Sequence, residues 1–459
     1  MLSVLERNRN SQSIPVWPVA KAELESWLAA QPDPVAVWAR ANDFKGQAGR
    51  VLKIPAANGA VAAIAFGLGD GEDALIWRAL ADGLGEGLYH LEGALSAKAA
   101  GIAATGWALG TYRYERYKKQ PKQQAAPRLV LPDGVDGDEV SRIVKGVFLA
   151  RDLINAPSND MGPQEMADAA AATAAQYGAR LHVLSGDELL RHNYPMIHAV
   201  GKASVRPPLL LDLVWGDEAA PKVTLVGKGV VFDSGGLDLK PSDAMRLMKK
   251  DMGGAANVLG LASMIMDAGL GLRLRVLLPV AENAVSGSSF RPGDILASRK
   301  GLTVEIGNTD AEGRLLLADA LTEAAGEDPH LLFDLATLTG AARTALGAEV
   351  PAFFTPDDGL AAQISAYALS EADPLWRLPL WKPYAKGLDS PIADLNNVTP
   401  GGMAGAITAA LFLQRFVSDV KTWAHFDIYA WNAAGRPGQG VGGEAMAIRA
   451  LYALLRDRF

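Results

Sequence analysis

Two carboxylates and a guanidinium are crowded into one short stretch of the chain, NTDAEGRL at 308–315, as Asp310, Glu312 and Arg314. Ahead of them, residues 302–306 alternate and are rich in β-branched types, and behind them 315–325 is rich in Leu and Ala. The stretch therefore reads as strand, charged loop and helix. Open α/β sheets carry their ligands at the carboxyl ends of strands, where such a loop falls. A single acid at this place could do no more than cap the helix. A cap needs one acid, however, and leaves the second acid and Arg314 without a role.

A second charged cluster follows the strand expected to end at Val226, in GKGVVFDSGG at 227–236, with Lys228 and Asp233. Lys240-Pro241-Ser242 comes next, and then Lys249, Lys250 and Asp251 lead into Gly253-Gly254 and an apolar helix. The glycine and lysine spacing is not that of a phosphate-binding loop, and Asp233-Ser234-Gly235-Gly236 is not the elbow of a serine hydrolase. Asp251 alone could be an N-cap. Taken together, Asp233, Asp251, Asp310 and Glu312 are four acids at the mouths of adjacent elements, and they would repel one another in a cleft unless cations neutralised them. A two-metal site answers this, with hydrolytic chemistry by cations about 3.5–4 Å apart. Carboxylate-rich ligation suits Mg, Mn or Zn. The lysines and Arg314 then serve to stabilise negative charge developing on the substrate. Spacing alone does not separate a peptide from a phosphate ester.

The elements that must position these groups suggest an α/β protein in two parts. A chain of 459 residues with 49% hydrophobic content is long for one domain and has ample apolar surface for substantial cores. Residues 1–137 read as a small N-terminal α/β domain, with strands at 51–55 and 60–66 and a helical stretch at 74–91. His90 has no acidic or histidine partner at ligand spacing and reads as a packing residue. Residues 138–160 read as a connecting helix and linker, with Ile143, Val144, Val147 and Phe148 on one side. Residues 161–459 read as the larger catalytic domain, with a mostly parallel mixed sheet flanked by helices. Its expected strands are 180–184, 209–214, 222–226, 273–279, 303–306, 330–335 and 423–428. A helix is expected at 254–268, with Ala255, Val258, Leu259, Ala262 and Ile265 as a buried stripe.

Composition narrows the function classes. The net charge of -7 argues against binding nucleic acid through overall positive potential. One segment, 112–128, does interleave six basic residues with three tyrosines, which could follow a phosphate backbone and stack bases. A solvated loop is the simpler reading and the one favoured here. There is no cysteine, so any metal must be held by oxygen and nitrogen. The amino terminus lacks the apolar core of a signal peptide, and the apolar run 253–272, interrupted by Asn257 and Asp267, makes a poor membrane span. A cytoplasmic location is the default expectation.

With both clusters in view, the sequence resembles the leucyl (cytosol) aminopeptidase family of dinuclear metallopeptidases. NTDAEGRL stands as that family's signature without substitution, and 226–257 matches closely. Further matches are AEN at 281–283, RPGD at 291–294, ATLTG at 336–340, ADLN at 393–396 and the region 406–413. The resemblance spans roughly 150–435 and implies a macro-like amino-terminal domain, removal of single N-terminal residues from peptides, and a homohexamer. It implies one metal held by Asp233, Asp310 and Glu312 and a second held by Lys228, Asp233, Asp251 and Glu312. Lys240 would bind the carbonyl oxygen of the substrate. Arg314 would hold a bicarbonate acting as general base towards the bridging water. Asp251 and the carbonyl of Leu338 would receive the substrate amine, and Met248, Thr337 and Gly340 would line a side-chain pocket suited to Leu or Met. The chain departs from the family after 425–428, where a small alanine-glycine turn is replaced by Tyr429-Ala430-Trp431-Asn432, and the family draws the far side of that pocket from this region. His425 and Asp427 alternate with Phe426 and Ile428 along the expected strand and read as structural. Some bacterial members of the family regulate DNA, so a DNA-binding regulator on the same fold is the alternative, carried by 112–128. A phosphoesterase using the same metals is a third reading.

Overall fold

The computed structural model describes residues 1–71, 73–119, 125–417, 420–436 and 438–459. They form two compact units, 1–145 with 433–441 and 146–432 with 442–459.

The first unit is built on strands β1 (Leu5–Glu6), β2 (Ile14–Ala20), β3 (Val51–Pro55), β4 (Val61–Gly69), β5 (Leu88–Leu91) and β6 (Arg128–Val130), in the order β1-β6-β5-β2-β4-β3. Only β3 pairs antiparallel; the other neighbours are parallel. The helical reading of 74–91 is corrected here. A helix covers Trp77–Gly83, and the chain then re-enters the sheet as β5. Glycines at 83, 85 and 87 lower helix propensity at the break, and pairing with β2 and β6 claims the backbone beyond it. His90 does have an acidic neighbour, since its Nε2 lies 2.8 Å from Glu92 Oε1, but it is buried in β5 as packing implies.

The second unit holds a mixed sheet of β7 (Arg180–Ser185), β8 (Leu209–Trp215), β9 (Lys222–Gly227), β10 (Gly229–Asp233) and β11 (Arg273–Asn283), continued after two short strands by β14 (Leu331–Ala336), β15 (Ala352–Phe354), β16 (Trp376–Arg377) and β18 (Trp423–Asp427). The intervening β12 (Ile295–Ala297) and β13 (Thr303–Glu305) form a separate small sheet with β17 (Leu395–Asn396). The expected strand at 303–306 thus forms, but in this small sheet rather than the main one. Local alternation specifies a strand and is silent on which edge it joins.

The centre of the main sheet is parallel: β9 lies between β11 and β14, and β14 is followed by β18. The carboxyl ends of β9, β14 and β18 therefore open on one edge, where Leu335 pairs with Gly227 and Ala336 with Asp427. Strand β10 brings Asp233 alongside Asn283 at the end of β11. Helix Gly253–Ala268 is buried on every face from Gly253 to Met266, so the expected stripe is only part of its contact surface. It packs on the sheet and also beneath helices Pro163–Tyr177 and Ile448–Arg458. Small residues permit the close approach: a β-carbon on Gly254 would stand 2.1 Å from the carbonyl oxygen of Leu335. Among the described residues no helix is long and apolar enough to cross a membrane.

Candidate metal centre and active site

Asp233 ends β10, nearly fully buried, and its carboxylate is fixed on both sides. Oδ1 accepts from the amide of Gly235 and from Asn283 Nδ2, each at 2.9 Å, and Oδ2 lies 2.8 Å from Lys240 Nζ. The same Asn283 amide donates to the carbonyl of Thr309 at 3.1 Å, so one side chain ties the first cluster to the second. Asp238 adds to the tie by accepting from the Thr309 amide at 2.7 Å, while Thr309 Oγ1 donates to the carbonyl of Gly235 at 2.6 Å. Loops separated by about seventy residues of sequence are thereby held as one body, since each such bond is intramolecular and at least partly buried.

Asp310 and Glu312 precede helix Gly313–Ala325, and capping does not explain them. Glu312 is the N-cap residue by backbone position, yet its side chain makes no cap hydrogen bond. Oxygens of Asp233, Asp310 and Glu312 all lie within 4.8 Å of one another. Asp251 stands beside this trio in the short turn Met248–Met252, likewise without capping the helix that follows. Its Oδ1 accepts from Thr337 Oγ1 at 2.8 Å. Lys228, between β9 and β10, joins Asp251 to the trio. Its Nζ lies 2.8 Å from Asp251 Oδ2 and 3.0 Å from Glu312 Oε1, and it donates to the carbonyl of Thr337 at 3.0 Å.

The balance of charge is tense. Burial and the neighbouring Asp233 push the Glu312 carboxyl up to about 8, and the same two causes push Asp310 up to about 6. Burial opposes the charge on Lys228 and Lys240, but the surrounding carboxylates outweigh it and hold both ammonium groups above the ordinary lysine range. Burial likewise opposes the charge on Asp251, and Lys228 overcomes it, keeping that carboxyl below its ordinary range. Asp251 Oδ2, Asp310 Oδ1 and both oxygens of Glu312 are buried without a hydrogen bond; where a lysine is close, the contact is ionic and lacks hydrogen-bond alignment. Glu312 Oε2 has neither a hydrogen bond nor an ion pair among the described residues, and a buried acceptor in that state is costly. An oxygen-rich set of this kind fits divalent cations, which would take up those lone pairs.

Arg314 enters from the first turn of its helix and is mostly buried. It donates through Nη1 to the carbonyl of Asn397, its Nε has no partner, and burial lowers it to about 10. Asn397 braces the whole loop, accepting from the amides of Gly307 and Asn308 at 2.8 and 3.2 Å and donating to the carbonyl of Asn308 at 2.7 Å.

These groups line a cleft of about 400 Å³, which Met248, Thr337, Leu338 and Gly340 also border. Sequence reasoning singled out Lys228, Asp233, Lys240, Met248, Asp251, Asp310, Arg314, Thr337, Leu338 and Gly340, and all of them face this one space, with Glu312 immediately beneath. It missed Asn397 and Arg343. Nothing in their local sequence separates them from surface polar residues. Strand alternation also undersold Asp427. His425 is fully buried and bound through Nδ1 to Asp334 Oδ1 at 2.6 Å, as a structural residue. Asp427, however, borders the cleft and accepts from the amides of Leu338 and Thr339 at 3.1 and 3.0 Å and from Thr339 Oγ1 at 2.5 Å.

Fold and site together define a two-domain α/β protein whose parallel strands end in a carboxylate and lysine cluster suited to divalent cations. Residues 148–452 match the catalytic domain of the cytosol aminopeptidase family, and 14–132 match the N-terminal domain of M17 aminopeptidases. The chain belongs to the cytosol aminopeptidase family. It is accordingly a hydrolase acting at the amino termini of peptides. It is 43% identical over 380 residues to a protein of Syntrophotalea carbinolica named "Probable cytosol aminopeptidase", covering 78% of this chain and 75% of that one. With Peptidase B of Cronobacter sakazakii the identity is 40% over 376 residues, 78% of this chain and 86% of the other. The crystal structure of cytosol aminopeptidase from Coxiella burnetii superposes with a TM-score of 0.95 at 46% identity, covering all of both chains. The bottromycin maturation enzyme BotP in complex with Mn gives 0.87 at 34%, covering 98% of this chain and 100% of that one.

Proposed function

We propose that this protein removes single N-terminal residues, of Leu or Met type, from peptides by two-metal hydrolysis. The observation that carries the reading is the trio Asp233, Asp310 and Glu312, with oxygens mutually within 4.8 Å and buried acceptors left without hydrogen bonds. One divalent cation would be held by Asp233, Asp310 and Glu312, and a second by Lys228, Asp233, Asp251 and Glu312. Mn or Zn suits this set, with Mg as a further choice, and the Mn complex of a structural neighbour supports manganese. When bound, the two cations supply a polarised carbonyl and an activated water, and bicarbonate beside Arg314 supplies the base.

The chain's own residues then have distinct tasks. Asp251 and the carbonyl of Leu338 accept hydrogen bonds from the substrate's amino group, which restricts cleavage to the first residue. Lys240, whose Nζ stands 2.5 Å from Asp310 Oδ1 and 2.8 Å from Asp233 Oδ2, is poised to donate to the carbonyl oxygen as negative charge gathers there. Arg314 keeps its anion close through the guanidinium edge that Asn397 leaves free. Met248, Thr337 and Gly340 shape the side-chain pocket, with Met248 as an adaptable apolar wall. Assembly as a homohexamer in the cytoplasm belongs to the same reading.

The test is release of leucine from leucinamide by Mn-loaded or Zn-loaded protein. Asp310→Ala and Glu312→Ala are each expected to abolish release, and full activity in both variants overturns the site.

A further inference from the structure

The turn Met248–Met252, which brings Asp251 to the centre, is tied down on one side by a lysine with no task in the hydrolysis. Lys249 stands two places before Asp251, half-buried, and its Nζ donates to the main-chain carbonyl of Asn155 at 2.6 Å. Asn155 is the last residue of helix Gly137–Asn155, where carbonyls lack partners within the helix and the helix dipole favours a cation. The same ammonium faces the ring of Trp431, 5.4 Å from its centroid. The seat that receives it is itself braced. Asn155 Oδ1 accepts from the amide of Gly443 at 2.8 Å, and Gly443 pairs with Trp431 across a two-stranded ribbon. One turn earlier in the helix, Arg151 holds Glu444 Oε1 through Nε and Nη2 at 3.0 and 2.7 Å. A helix end and a ribbon are thus joined, and Lys249 fastens the turn to both.

The geometry points to Lys249 as a positioning residue that fixes the turn carrying Asp251, and so sets the affinity for the cation that Asp251 holds while leaving the other cation untouched. The inference rests on the two-metal reading and adds to it. Upstream of the turn the chain gives little support, being exposed at 241–244 and again at Arg246. Downstream it runs into the buried helix Gly253–Ala268, and Thr337 Oγ1 holds Asp251 through its carbonyl and Oδ1 at 3.0 and 2.8 Å. Lys249 supplies the anchor on the open side, so its loss loosens the turn rather than releasing it. On the two-metal reading Asp251 serves one cation only, whereas Asp233 and Glu312 serve both and Asp310 serves the other. A displaced turn therefore weakens one site selectively. Trp431 lies in the segment where the chain departs from the family's small turn, so this clasp is a property of this chain.

The test titrates Mn into the metal-free, full-length protein and into its Lys249→Met variant, following free Mn by electron paramagnetic resonance and the paired cations by their exchange-coupled signal. Met keeps the apolar stem of the side chain and removes the charge and the donated bond. Wild type is expected to take up two Mn. In Lys249→Met the affinity for one of them should fall about 10–100-fold, the usual weight of a partner that orients a ligand, while the other is bound as before. Both steps are read in the same folded molecules, so a smaller folded fraction lowers the two together and does not imitate this pattern. Turnover of leucinamide should return to the wild-type kcat at saturating Mn, because mass action refills the weakened site. Equal loss of both cations, loss of neither, or a kcat that stays low with both Mn bound overturns the inference and leaves the two-metal reading standing. Uptake of a single Mn by wild type brings down the two-metal reading itself.

Discussion

Gly313 and Lys228 share one space: a β-carbon on Gly313 would lie 2.6 Å from Lys228 Cε and 2.7 Å from its Nζ. The glycine in NTDAEGRL is therefore a requirement of a residue 85 positions earlier, because only a bare α-carbon lets the lysine reach Glu312 and Asp251.

Gly313→Ala should displace the end of Lys228 rather than unfold the protein. Overpacking of this kind costs about 1–3 kcal/mol. Activity on leucinamide is expected to fall about a hundredfold, because small displacements in a reaction centre are amplified in rate. Metal stoichiometry and thermal unfolding measured together check it, and unchanged turnover would contradict the shared-space reading.

Asn283 is expected to matter as much as a ligand. Removing its amide in Asn283→Ala frees Asp233 from Thr309, and partners that orient ligands are typically worth about 10–100-fold in metal affinity. Competition against a chromophoric chelator measures this. Equal affinity in wild type and variant would show that the two loops hold their places without the tie.

Metal affinity should rise with pH. Glu312, held up to about 8, and Asp310, held up to about 6, carry protons over a range where free carboxylates do not, and both must release them to bind a cation. The sign for folding is the reverse in the metal-free protein. The folded form binds these protons more tightly than the unfolded chain, so their contribution is fully present below the ordinary carboxylate range and is lost as pH rises to about 6 and then about 8. Chelator competition from pH 5 to 9 on the metal-free protein, with thermal unfolding in parallel, should show affinity climbing while metal-free stability declines. A flat affinity profile would refute the raised values.

Asp427→Asn should loosen the backbone at 337–340 without removing any metal ligand. The carboxylate accepts two amides and a hydroxyl, and an amide side chain presents one acceptor where two are used. A loss of about 1–3 kcal/mol in stability follows from the unmet donors. KM should rise about tenfold, since Leu338 and Thr337 border the cleft where the substrate is proposed to bind. Denaturant unfolding and steady-state kinetics read the two effects separately, and wild-type values in both would remove Asp427 from the site's support.

The sequence by itself determined the residue types of the centre. Carboxylates crowded before a helix-forming run exceed what a helix cap needs, and the types present, without a single cysteine, already restricted any metal ligands to oxygen and nitrogen. It also determined most strands of the main sheet, because hydrophobic alternation is local and the parallel core reads as short β-branched runs. Tertiary structure decided what depends on long-range pairing: that 303–305 joins a small separate sheet, that 88–91 is a strand, and that helix Gly253–Ala268 is covered on all sides. It alone decided that Asn283, Asn397 and Asp427 brace the site and that Lys250, Arg343 and Tyr429 meet at its far wall. A residue's type fixes the bonds it can make, whereas its partners are fixed only when packing brings distant segments within about 3 Å of one another.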